Sequence, residues 1–127
     1  MNIVSRRVHG IVDYASVVVM LVSPWLFGFI ESAIASALFF LSACLILVIS
    51  LYTNYELSMV KSIPMLFHLE MDMVTGFMLL TSPWVFGFYH IVFWPHVIIG
   101  AFALIFSLLT DQNSLRDYVH PEIPLKQ

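Results

Sequence analysis

Charge is scarce in this chain. Of 127 residues 10% are charged and 61% hydrophobic, against about 25% and about 45–50% in soluble domains. The mean hydropathy is +0.95. So short a chain has too little interior to hide that much apolar surface from water, so lipid must solvate most of it. One cysteine, Cys44, excludes an internal disulfide, and its place in an apolar run reads as a small buried hydrophobe. The net charge of −3 and five dispersed basic residues argue against a nucleic-acid partner. No Gly-rich phosphate loop and no hydrolase-type nucleophile, base and orienter set is apparent. These patterns give an enzyme no support, and they predict no cofactor.

What is present is a repeat. Ser23-Pro24-Trp25-Leu26-Phe27-Gly28-Phe29 returns 59 positions later as Ser82-Pro83-Trp84-Val85-Phe86-Gly87-Phe88. The same offset lays His9 on His68, Asp13 on Asp72 and Leu21 on Leu80. Between His9 and Phe29, nine of 21 positions are identical, where ordinary residue usage gives about one or two. The chain reads as an internal duplication whose halves fold alike.

Four apolar runs follow one another: about Val8–Trp25, Ala33–Leu51, Met65–Trp84 and Ile91–Leu109. The second has no charge, and its 19 residues would reach ~28 Å as a helix, about one hydrocarbon thickness. Pro64 suits the start of the third helix, where its missing N–H costs little. Lone strands would leave unpaired backbone in lipid, so helices are expected. The reading is an all-α membrane protein, with four transmembrane helices as two tandem helical-hairpin repeats of parallel orientation. It forms one membrane domain over 1–127, with repeat 1 at about 3–57, repeat 2 at about 62–110 and a polar tail at 111–127. Arg6 and Arg7 before an apolar run resemble a signal peptide, but Asp13 inside that run and its internal copy mark a retained span. The connector around Glu56–Lys61 is expected to lie on the cytoplasmic surface as a short helix.

Arg6, Arg7, Lys61, Arg116 and Lys126 all fall in the start, the middle connector or the tail, which four spans place on one side. By the positive-inside rule both termini are cytoplasmic. The repeats are then related by an axis along the membrane normal.

A doubled Ser-Pro-Trp with trailing Phe-Gly-Phe, each preceded by His-x-x-x-Asp, resembles the SPW-repeat family of small prokaryotic integral membrane proteins. The resemblance implies a multi-pass protein of the prokaryotic inner or plasma membrane, made of two-helix repeats with the motif in the first helix of each. It carries no agreed biochemical activity. The second copy departs by adding Glu70 between His68 and Asp72.

The residues of the motif have their own physical reading. Pro24 and Pro83 kink or end a helix, and Ser23 and Ser82 can satisfy backbone groups so freed. Trp25, Phe27, Phe29, Trp84, Phe86, Phe88 and Tyr89 are expected as an aromatic belt at the outer boundary, with Gly28 and Gly87 permitting tight turns. The alternative for this patch is a site for a lipid or quinone headgroup.

His9, Asp13, Ser16, Met20 and Ser23 follow 4-3-4-3 spacing and share one helix face; the second copy reads His68, Asp72, Thr75, Leu79 and Ser82. A carboxylate inside a span needs a partner. His9 and Asp13 are one turn apart, yet His9 could equally meet Asp72, and His68 meet Asp13, across the repeats. The polar intramembrane cluster is therefore drawn as His9, Asp13, Ser16, His68, Asp72 and Thr75. Its preferred reading is an interhelical clasp in a structural or interaction module, homo-oligomeric or part of a larger membrane complex. Alternatives are a proton-linked or small-solute transporter, and a metal site on His9, Asp13, His68 and Asp72 that lacks the Glu-x-x-His spacing of di-iron bundles. His90, His96 and His120 lie outside the matched pairs and read as interfacial or surface groups.

Overall fold

In the computed structural model residues 3–111 are described, and they form four helices. They are α1 (Arg6–Leu26), α2 (Ala33–Tyr52), α3 (Met65–Val85) and α4 (Trp94–Leu109). The tail expected at 111–127, with Arg116, His120 and Lys126, lies outside the described residues apart from Asp111. α1 packs on α2 and α3 on α4, giving two hairpins, with a lighter α2–α3 contact between them.

Local chemistry sets the helix ends. The Ser5 hydroxyl accepts from Val8 N–H at 3.3 Å, capping α1. Pro64 caps α3. The fourth apolar run starts at Ile91, but α4 starts at Trp94. A helix begun at Ile91 would put Pro95 in its second turn, where the ring clashes with the preceding carbonyl. Placed in the first turn, Pro95 loses nothing.

At the far end of each first helix the Ser-Pro-Trp motif makes a stop. Pro83 has no N–H for the Leu79 carbonyl, and the Ser82 hydroxyl donates to that oxygen instead at 2.8 Å. Ser23 donates to Val19 O at 2.6 Å. Gly28 and Gly87 then take positive φ, +71° and +73°, which lets each glycine N–H close on the Trp25 or Trp84 carbonyl at 3.3 Å.

The aromatic residues of this end do not form one belt. Trp25, Phe27, Trp84, Phe86 and Tyr89 are exposed, but Phe29 and Phe88 are buried. Both turn inward because His96, expected near the interface, is buried between the hairpins. Its Nε2 donates to Ala35 O at 3.0 Å, and the rings of Phe29, Phe39 and Phe88 surround it at centroid distances of 5.4, 4.3 and 4.9 Å. His90 is exposed.

Around this core the outward faces are apolar. Val18, Leu41, Val74, Ile98, Phe102 and Leu108 are among the large hydrophobic side chains left uncovered. α1 and α2 have the length and hydropathy to cross a bilayer; α4 is a shorter apolar helix of 16 residues. Cys44 belongs to the outward face as well and is exposed, not buried, because Ala43 and Ile46 take the inward positions beside it.

The connector between α2 and α3 contains no helix. Thr53 pairs with Ile63, and Ile63 N–H donates to Tyr52 O at 2.8 Å, drawing the connector into a closed loop. Tyr55 inserts into the interior, against Gly10, where a Cβ would strike its ring. At the other hairpin Val4 pairs with Thr110 in the same manner, and its N–H donates to Leu109 O at 3.0 Å. The run before α1 is thus tied to the run after α4.

Candidate functional site

His9 and Asp13 sit one turn apart on α1, and His68 and Asp72 one turn apart on α3, so each pair projects from a single helix face. The four side chains meet between the hairpins, all buried. His9 Nε2 lies 2.9 Å from Asp72 Oδ2 and 3.3 Å from Asp13 Oδ1. His68 Nε2 lies 3.0 Å from Asp13 Oδ2 and 3.1 Å from Asp72 Oδ2. Each imidazole therefore touches the carboxylate of its own helix and that of the other. The question left open by the spacing, pairing within a repeat or across, has the answer that both occur. The rings approach edge to face, with centroids 5.3 Å apart.

The outer nitrogens carry more information. His9 Nδ1 is 2.7 Å from Thr110 Oγ1, and His68 Nδ1 is 2.7 Å from Thr53 Oγ1. Each threonine hydroxyl donates its one proton to a carbonyl a turn back, Thr110 to Phe106 O and Thr53 to Ile49 O, both at 2.7 Å. A hydroxyl whose proton is committed can only accept, so both histidines carry a proton on Nδ1. This directs both Nε2 atoms at the carboxylates.

Thr53 and Thr110 were not among the residues singled out from the sequence. The signal exists: Ser50-Leu51-Tyr52-Thr53 returns as Ser107-Leu108-Leu109-Thr110, at an offset of 57. Each threonine closes the second helix of its hairpin and serves the histidine of the other hairpin. Ser50 contributes too, donating to Asp13 Oδ2 at 3.2 Å. Its counterpart Ser107 is buried without a partner, as is Asp72 Oδ1.

Those two atoms border a cavity of about 30 Å³, room for about two waters by volume. Ser16 and Thr75 line this cavity and make none of the contacts above to the histidines or carboxylates. Apolar Val12, Met20, Leu79 and Phe106 form much of the remaining wall. Tyr55 closes the other side, its ring edge-on to His68 at 6.1 Å. Burial pushes the Tyr55 phenol above its ordinary value, so it stays neutral beside the cluster. Ser23, Pro24, Trp25, Phe27, Gly28, Phe29 and their second copies lie at the opposite helix ends and contribute nothing to this site.

Two carboxylates shut away from water need partners nearby, and the two Nε2 atoms, at 2.9–3.3 Å from their oxygens, supply them. His68 fits this less well than His9. Its Nε2 is at ion-pair distance from two oxygens, yet the ring N–H meets neither at a hydrogen-bonding angle.

Fold and site together define a small all-α protein of two helical hairpins, two of its helices long and apolar enough to cross a bilayer, joined through a buried His/Asp cluster. The family model for the SPW repeat domain matches residues 7–110, and the chain belongs to that family. No curated protein and no solved structure matches it.

Proposed function

We propose that the protein is a structural or interaction module of a prokaryotic inner or plasma membrane, a duplicated four-helix bundle clasped by its His/Asp cluster. It presents its apolar outer faces to lipid and to further copies or other subunits of a membrane complex. The side bearing Arg6, Arg7 and Lys61 is cytoplasmic, with both termini there. The observation that carries this reading is the exchange between hairpins: each histidine is held by a carboxylate and a threonine of the other hairpin. Pulling the hairpins apart would strand all four groups in lipid, which offers no replacement partner. The alternative, a proton-linked or small-solute transporter, draws on the cavity beside Asp72.

Changing Asp72→Asn and measuring both melting in detergent and proton flux in liposomes separates the two. A clasp loses stability with no flux to lose. A transporter variant that folds normally but no longer conducts would overturn the clasp.

A further inference from the structure

We propose that the cluster is also a binding site for one divalent first-row metal ion. The inference deepens the clasp reading and rests on the same four residues. Four ligand atoms, one from each of His9, Asp13, His68 and Asp72, lie within 4.8 Å of one another. The nitrogen–oxygen contacts run from 2.9 to 3.3 Å. A tetrahedral ion with bonds of about 2.0–2.1 Å needs ligand atoms ~3.3 Å apart. Asp72 Oδ2 already lies 2.9 and 3.1 Å from the two Nε2 atoms, and no pair of the four ligand atoms must close by more than roughly 1.5 Å.

The second observation is the orientation of the donors. Thr53 and Thr110 hold the protons on Nδ1, which leaves each Nε2 facing inward as the donor atom. A hydrogen-bond acceptor behind each imidazole is the usual support of a metal-bound histidine. His68 Nε2 and Asp72 Oδ1 are buried and unpartnered, and an ion between them would satisfy both. Two imidazoles and two carboxylates with no thiol suit zinc or another borderline ion over a soft one; the only cysteine, Cys44, faces outward.

Two carboxylates and one M²⁺ sum to no net charge, so an ion held by the four residues leaves no unbalanced charge in the buried site. Among the described residues, Tyr55 faces the cluster from the connector, and α2 and α4 with their C-caps bring to it the hydroxyls of Ser50, Thr53, Ser107 and Thr110.

The test uses full-length protein in detergent, stripped with chelator and titrated with Zn²⁺ by calorimetry. Saturable binding at one site per chain supports the proposal. Absence of saturable binding overturns it, as does binding that survives Asp72→Asn and His68→Ala. Thr110→Val keeps all four ligands, and there the expected result is unchanged stoichiometry with affinity ~10–100-fold weaker; unchanged affinity counts against it. If the wild type binds no zinc while metal-free Asp72→Asn melts early, the metal site falls and the clasp stands. Bound zinc with no change in the variant's melting does the reverse.

Discussion

The two hairpins are built to one plan and finished differently. Asp13 takes a hydroxyl from α2, since Ser50 donates to its Oδ2 at 3.2 Å. Around Asp72 the equivalent Ser107 on α4 does not reach, and the gap between them is the cavity. The difference follows from length. α2 has 20 residues and α4 has 16, and the second copy is two residues shorter between its Phe-Gly-Phe and its Ser-Leu-x-Thr. α4 also crosses α3 closely at Gly76 and Gly100, where a Cβ on Gly100 would stand 2.6 Å from Gly76 O. The corresponding positions of the first hairpin are Val17 and Ala43, both bearing side chains. One hairpin thus satisfies its carboxylate, while the other packs its helices tighter and leaves its carboxylate an open side.

The largest expected effect tests what both hairpins share. His68→Ala removes one partner of a buried charge pair and leaves Asp13 and Asp72 short of compensation. Such losses run to about 3–5 kcal/mol. Melting of the purified variant in detergent should drop steeply, and a midpoint within a few degrees of the wild type would mean the cluster is not a clasp. His9→Ala should cost as much, since its contacts mirror those of His68.

Next comes the difference itself. Ser50→Ala removes a hydrogen bond to a carboxylate and should cost about 1.5–3 kcal/mol. Ser107→Ala removes a buried hydroxyl that has no partner, so its effect should stay within about 0.5 kcal/mol. Equal losses measured by denaturant or thermal melting would show that Ser107 is engaged, and the asymmetry between the hairpins would vanish. An effect of about 1–3 kcal/mol is expected for Gly100→Ala, because the new methyl meets backbone, with Leu80 N at 2.5 Å. Relief by no second-site change short of moving the helix should follow, since backbone cannot rotate aside as a side chain can.

Much of this was readable in the residues. His9, Asp13, His68 and Asp72 announced themselves because a span tolerates ionisable groups only with partners, and the offset of 59 paired them. The family and the four helices followed from the same repeat and from the apolar runs. Thr53 and Thr110 stayed hidden because they keep a different offset, shifted by the shorter second return helix. His96 and Cys44 were misplaced for a common reason. An apolar stretch in a membrane protein has no polar face to mark its outside, so periodicity does not say which side is buried. Cys44 consequently faces outward, and His96, with an aromatic cage and one carbonyl as partner, faces in. Phe29 and Phe88 go inward with it, splitting the expected belt.

The smallest expected difference lies at the end where the hairpins ought not to differ. Gly28 and Gly87 have nearly equal positive φ, each donates to the tryptophan carbonyl at 3.3 Å, and neither has an atom within 4 Å of where a Cβ would stand. Alanine at either position meets no neighbour and suffers only the left-handed backbone, a penalty of about 1–2 kcal/mol. Gly28→Ala and Gly87→Ala should therefore lower the melting midpoint by the same amount, and Gly→Asn by less, because asparagine visits that conformation more readily. The hydrogen bonds just beyond differ slightly, Phe29 N–H reaching Pro24 O in one copy and Tyr89 N–H reaching Pro83 O in the other, both at 2.9 Å. Neither bond involves the glycine, so the equality should survive it. Unequal losses would place an asymmetry at the Ser-Pro-Trp end as well, and the contrast between the hairpins could no longer be traced to the missing two residues and the open side of Asp72.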